Sequence, residues 1–167
     1  FGTTWSAEVR LDQVNVGIAN GMIPRLAGDA SALYANWSAG VNHDGWLQVS
    51  TDLGTTWLPT ARPMPLGWFA PGFAAEGPIV LAQCGATIHR SVDYGATWTA
   101  VSPPLFDNAA TTLAIVGNRV LGAYRGRDAY FPYLDVLRTI ASTDAGLTWS
   151  SPSANLLPSS PSTTWGV

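Results

Sequence analysis

The chain has 167 residues, a formal net charge of −3 and only 11% charged residues, well below the usual quarter or so. All eight basic side chains are Arg and they form no patch, so a nucleic-acid partner is not expected. The single cysteine, Cys84, excludes an internal disulfide, and no apolar run reaches the roughly 18 residues of a membrane-spanning helix.

In chain order, the opening FGTTW carries Gly2, Thr4 and Trp5 at a spacing that recurs further on. VNVGIAN (14–20) reads as a first strand. MIPRLAGDASALY (22–34) is the only stretch with helical reach, and Pro24 and Gly28 weaken it. ALYANWS (32–38) and GWLQVST (45–51) read as the next two strands. Asn36 opens an Asn-Trp-Ser glycosylation sequon, but it falls inside a predicted strand. The second strand pair ends on STDLGTTW (50–57), from which TTWLPT (55–60) leaves as a fourth strand.

The same order follows twice more. LGWFAPGF (66–73), PIVLAQC (78–84), TIHRSV (87–92) and ATWTAVS (96–102) surround SVDYGATW at 91–98. TTLAIVGN (111–118), RVLGAYRG (119–126), DVLRTIAS (135–142) and LTWSSP (147–152) surround STDAGLTW at 142–149. Cys84 reads as a small buried hydrophobe of the second of these strands rather than a nucleophile.

Three copies of S-x-D-x-G-x-T-W are therefore present. They are Ser50, Asp52, Gly54, Thr56 and Trp57; Ser91, Asp93, Gly95, Thr97 and Trp98; and Ser142, Asp144, Gly146, Thr148 and Trp149. From Ser50 to Ser91 is 41 residues and from Ser91 to Ser142 is 51, a period in the range of propellers rather than helical solenoids. The octapeptide has a mechanical reading. The Asp carboxylate accepts backbone N–H groups just ahead of it, Gly supplies a left-handed φ, and Thr and Trp begin an outgoing strand. Each unit has one such Asp, which disfavours paired-carboxylate catalysis.

Four strands per unit, with the octapeptide between the third and fourth, predict an all-β chain and a β-propeller. About three complete four-stranded blades are expected, at roughly 14–60, 66–102 and 111–152, with partial blades at 1–10 and 161–167. The stray strands at both ends predict a segment of a longer propeller, paired there with the remainder of a parent protein or with other copies.

The octapeptide resembles the Asp-box, or BNR repeat, of sialidase-like propellers. WSAEVRL (5–11) and WSSPS (149–153) are similar to outer strands of that superfamily. Asp-boxes occur in sialidases and other glycoside hydrolases, sortilin-like receptors, a photosystem assembly factor and propeller lectins. The resemblance implies that the fifteen octapeptide residues hold blades together, far from any active site. It does not extend to catalysis. Sialidases carry an Arg-Ile-Pro motif, further carboxylate-clamping Arg residues, a Tyr–Glu nucleophilic pair and an Asp acid/base. Here Ile23-Pro24-Arg25 has those letters in another order, and Glu8 and Glu76, the only Glu residues, lack the context. Catalytic residues stay unassigned.

Propeller topology puts the octapeptides at one end of the blades, and the ligand-facing loops at the other. The loop 38–45 brings His43 and Asp44 to the second end. The loop 125–134 brings Arg125, Arg127, Asp128, Tyr130 and Tyr133. Two Arg one residue apart offer several donors to a carboxylate or phosphate, and Tyr rings stack on sugar faces. The competing reading pairs Arg125, Arg127 and Asp128 with one another on a solvated loop. His43 beside Asp44 reads as an acid/base pair, a metal site or, more simply, a solvated loop.

No metal and no cofactor is implied. The expected function is a non-catalytic propeller segment that binds a glycan or another protein chain, or scaffolds a surface or virion assembly. The alternative is a fragment of a sialidase-like glycoside hydrolase. An extracellular or surface-associated location is expected.

Overall fold

A computed structural model of the chain describes residues 24–39, 44–58, 62–64, 72–84, 87–101, 111–127 and 135–154. The predicted strand at 14–20 and the partial blades at 1–10 and 161–167 lie outside the described residues. Every regular element described is a strand. The first sheet holds β1 (Arg25–Gly28), β2 (Leu33–Ala39), β3 (Asp44–Ser50) and β4 (Arg62–Pro63) in that order. The second holds β5 (Phe73–Glu76), β6 (Ile79–Cys84), β7 (Thr87–Ser91) and β8 (Thr99–Val101). The third holds β9 (Thr111–Val116), β10 (Arg119–Arg127) and β11 (Asp135–Ser142). All pairings are antiparallel between sequence neighbours.

Several sequence expectations are corrected. The described part of the stretch 22–34, from residue 24 on, is not helical; it contributes β1 and the turn into β2. That turn is closed by Asp29, whose carboxylate accepts Ser31 N–H at 2.7 Å, Ser31 Oγ–H at 2.7 Å and Ala32 N–H at 3.1 Å. An Asx turn of this kind competes locally with helix. Of the predicted 66–73 run, residues 66–71 lie outside the described residues, and β5 takes up its last residue, Phe73. The predicted fourth strand of the second unit is present as β8, whereas those of the first and third are less regular than expected. Leu58 N–H donates to Val49 O at 2.9 Å, and pairing resumes at Arg62–Pro63, opposite Leu47 and Trp46. In the third sheet, residues 150–153 run beside β11 without becoming a ladder. Ser150 N–H donates to Ala141 O at 2.7 Å and Ser153 N–H to Thr139 O at 2.9 Å. The serine hydroxyls Ser150 Oγ and Ser153 Oγ accept the Ala141 and Thr139 amides. Pro152 offers no N–H between them.

The sheets stack face to face with the second in the middle. Phe73, Ala75, Val80 and Ala82 meet Tyr34, Leu47, Val49 and Met64 of the first sheet. Ala74, Leu81, Ile88 and Val101 meet Leu113, Val120, Tyr124 and Ile140 of the third. Successive residues of β5 and β6 thus serve opposite cores, the period of two that a pleated strand imposes. This explains the continuous apolar run Ile79–Ala82, because a sheet covered on both faces has no solvent side for polar alternation. The innermost strands lie side by side, β5 touching both β1 and β9.

Polar contacts pin the stack. Gly77 N–H, in the β5–β6 turn, donates to Asp29 Oδ2 at 2.9 Å, and Tyr34 Oη donates to Gly77 O. Arg90 Nε donates to Ala145 O at 2.8 Å, tying the second sheet to the third. Cys84 is buried, and its burial pushes the thiol pKa up to about 11. Asn36 is 1% exposed, so the folded chain leaves no room for a glycan on the sequon.

Candidate functional site

The three octapeptides fold into turns of one geometry. The Ser hydroxyl at each start is the hub. It donates to the Asp Oδ1 at 2.8 Å from Ser50, 2.7 Å from Ser91 and 2.7 Å from Ser142. It accepts the Gly N–H at 2.8 Å in Gly54, 2.8 Å in Gly95 and 2.9 Å in Gly146, and more weakly the N–H of the Asp. A hydroxyl has one donor and two acceptor sites, so all three are used.

The Asp carboxylate reaches the other way. Its Oδ1 accepts the Thr N–H at 2.8 Å in Thr56, Thr97 and Thr148. Its Oδ2 accepts the Thr hydroxyl at 2.6 Å from Thr56, 2.6 Å from Thr97 and 2.5 Å from Thr148. The Thr97 and Thr148 hydroxyls, then their amides, then the Ser hydroxyls hold Asp93 and Asp144 down at about 2, from an ordinary 3.8. Asp52 is lowered by the same donors, Thr56 first. These carboxylates stay ionised at neutral pH, and both oxygens of each are occupied within their own turn. Such a group is a poor general acid.

The sequence did not reveal one feature of these turns. Leu53, Tyr94 and Ala145 have φ of 57°, 59° and 55°, next to Gly at 86°, 79° and 84°. Two successive left-handed residues closed by Thr55 N–H to Asp52 O at 3.3 Å, with equivalents at Ala96 and Leu147, make a type I′ turn. Its first central position favours Asn, Asp or Gly, so Leu, Tyr and Ala give no warning. The Trp that follows is half-buried in each copy. Trp98 packs against the core between the first and second sheets, and Trp149 against that between the second and third.

The octapeptide turn and the hairpin turn between the first two strands lie at one end of each sheet. Tyr94 N–H donates to Pro78 O at 3.0 Å and Ala145 N–H to Asn118 O at 2.8 Å. The last residues of β2, β6 and β10 are at the opposite end. The β-ladders put Asp44 there, opposite Ala39, and Arg127 there, opposite Asp135, with Arg125 two residues inward opposite Leu137. His43, Asp128, Tyr130 and Tyr133 lie outside the described residues. Glu76 ends β5 at the octapeptide end, opposite Ile79, away from Asp44 and Arg127. Among the described residues no group of three His, Cys, Asp or Glu side chains is placed to hold a metal ion. No described helix is long and apolar enough to cross a membrane.

Sequence reasoning missed two polar residues. Asp29 clamps its own turn and the next sheet, and Ser31, its first partner, holds its carboxyl below the usual range. The signal was present, as Asp-x-Ser at a strand end. His89 is 7% exposed between Ala82 and Ala100 of the neighbouring strands, and burial lowers its pKa.

No family model matches the chain, and no curated protein matches it. Among solved structures it is similar to YCF48 bound to a D1 peptide, at 16% identity with a TM-score of 0.49. That similarity covers 81% of this chain and 40% of the other, so this chain spans well under half of the protein it matches.

Proposed function

We propose that the chain is an Asp-box β-propeller segment of the sialidase-like type, and that it binds or scaffolds rather than catalyses. The observation that carries this reading is that both oxygens of Asp52, Asp93 and Asp144 accept hydrogen bonds from donors of their own turns. A carboxylate with both oxygens occupied holds a turn; it does not transfer protons to a substrate. Repetition of one such turn in three stacked sheets supports blade assembly as its role. The ligand end is then the one opposite the octapeptides, where Asp44 and Arg127 lie on strand ends with Arg125 two residues inward. Arginine presents a fork of donors suited to the carboxylate of an acidic sugar or an acidic peptide.

The test is a paired assay on the purified chain. A fluorogenic sialoside should show no turnover above buffer. A panel of immobilised glycans and acidic peptides should retain the chain, and Arg127→Ala should weaken retention while leaving the circular dichroism spectrum unchanged. Turnover lost on replacing Arg125 or Arg127 would overturn the non-catalytic reading in favour of a glycoside hydrolase.

A further inference from the structure

The register of the three sheets makes their positions comparable. Leu33, Val80 and Val120 each stand opposite the Ser that opens an octapeptide. The next residues, Tyr34, Leu81 and Leu121, are therefore equivalent, and so are Leu26, Phe73 and Leu113 on the inner strands. In both interior interfaces the pattern is the same. A front-face side chain of one sheet, Tyr34 or Leu81, enters a core that a back-face side chain of the next, Phe73 or Leu113, helps to form. The octapeptide Gly of the later sheet leaves room for the Leu in front of it. A Cβ on Gly95 would collide with Leu47, and one on Gly146 would lie 2.8 Å from Leu81 Cδ2.

The two outer faces carry the same parts, with no partner sheet among the described residues. On the back of the first sheet Leu26 is 77% exposed, and Gly54 meets only Leu33 of its own sheet. Leu26, Gly28, Leu33 and Trp57 line a cavity of about 230 Å³ there. On the front of the third sheet Leu121, the equivalent of Leu81, is 54% exposed beside Val116 at 76%. One copy thus offers an apolar knob and an apolar socket at opposite ends of its stack, each of the kind that meets inside the molecule.

We propose that a second copy of this chain fills them, the front of the third sheet of one copy against the back of the first sheet of the other. The contact is heterologous, so a pair closes only if both ends engage. Two copies joined in this way would place twice three sheets in one ring, inside the range of about 4–8 blades of closed propellers. Closure rests on the propeller reading above, whereas the head-to-tail contact rests on the sheet faces alone.

Sedimentation velocity over a concentration series tests the proposal, using the whole chain and the variants Leu26→Arg and Leu121→Arg. Both positions are exposed, so neither change disturbs the cores, and matching melting curves serve as the control. The wild type should self-associate, and each variant should weaken this at least about tenfold, the loss of one buried leucine contact. An equimolar mixture should restore an open dimer through one contact, because the intact socket of Leu121→Arg receives the intact knob of Leu26→Arg. Open strings in place of closed dimers would keep the head-to-tail contact and discard the ring. A wild type that stays monomeric at its highest soluble concentration would overturn the proposal. So would variants that associate as well as the wild type, or a mixture that fails to restore association.

Discussion

At the scale of single residues, the octapeptide serine matters more than its aspartate. Ser91 is 2% exposed and receives the buried Gly95 amide, whereas the Thr97 groups bound by Asp93 face solvent. Removing an acceptor from a buried donor costs about 1–3 kcal/mol, while donors at the surface turn to water. Ser91→Ala should therefore lower stability by about 1–3 kcal/mol, and Asp93→Ala by less, as read from urea midpoints at unchanged m-values. Equal midpoints for Ser91→Ala and the wild type would show that the hydroxyl is not the hub of the turn.

The acid response follows from the same bonds. Asp93 is held at about 2 in the folded chain against an ordinary 3.8. The unfolded chain therefore binds the proton more readily. The contribution of Asp93 is complete above about pH 4 and is lost as pH falls towards about 2, muted because the group is solvent-exposed. The gap in Tm between wild type and Asp93→Asn should be constant above about pH 4 and shrink below it. A gap that widens with acid would reverse the sign. His89, whose pKa burial lowers, adds a decline at milder acidity that both proteins share.

At the scale of elements, the turns look alike in sequence but differ in what they touch. Gly54 and Gly95 both have left-handed φ, at 86° and 79°. An alanine at 54 would meet only Leu33 Cδ1 at 3.6 Å, whereas one at 95 would drive into Leu47 of the preceding sheet. Gly54→Ala should cost about 1–2 kcal/mol, the backbone penalty alone. Gly95→Ala should cost about 1–3 kcal/mol more, because a packed interface must open to admit the methyl group. Thermal melts of the two variants side by side check the difference, and equal losses would deny that the second octapeptide turn packs on the first sheet.

Strand identities were largely legible, since β2, β3, β6, β7, β9, β10 and β11 fall on predicted apolar runs. The inner strand β1 was not. Its RLAG is short, follows Pro24 and leads into an Asp29 turn whose residues also suit a helix start. The outer strands of the first and third units were over-read, because the Thr and Trp that end the octapeptide complete the turn, whereas β8 falls on its predicted run. Neither Arg90 to Ala145 O nor Asp29 to Gly77 N–H has a sequence signature. Both depend on which sheet lies next to which. Of the predicted ligand loop 125–134, residues 125–127 belong to β10, while 128–134 and His43 lie outside the described residues.

At the scale of the whole molecule, the second sheet is the keystone of the stack. Val80, Leu81, Ala82 and Ile88 are fully buried, shared between two cores. Burying one such side chain contributes about 1.5–3 kcal/mol, so the middle sheet should be the last to open. The first and third sheets each keep one face without a described partner sheet and should open first.

Native-state amide hydrogen exchange read residue by residue tests this account most directly, because it reports the turns and the stack together. The amides of Leu81, Ala82, Gln83 and Ile88 should exchange slowest, and those of Gly95 and Gly146 should be strongly protected by the Ser91 and Ser142 hydroxyls. Exchange of the second sheet no slower than that of the first and third, with Gly95 and Gly146 at free-chain rates, would contradict both the stacked arrangement and the structural role of the octapeptide.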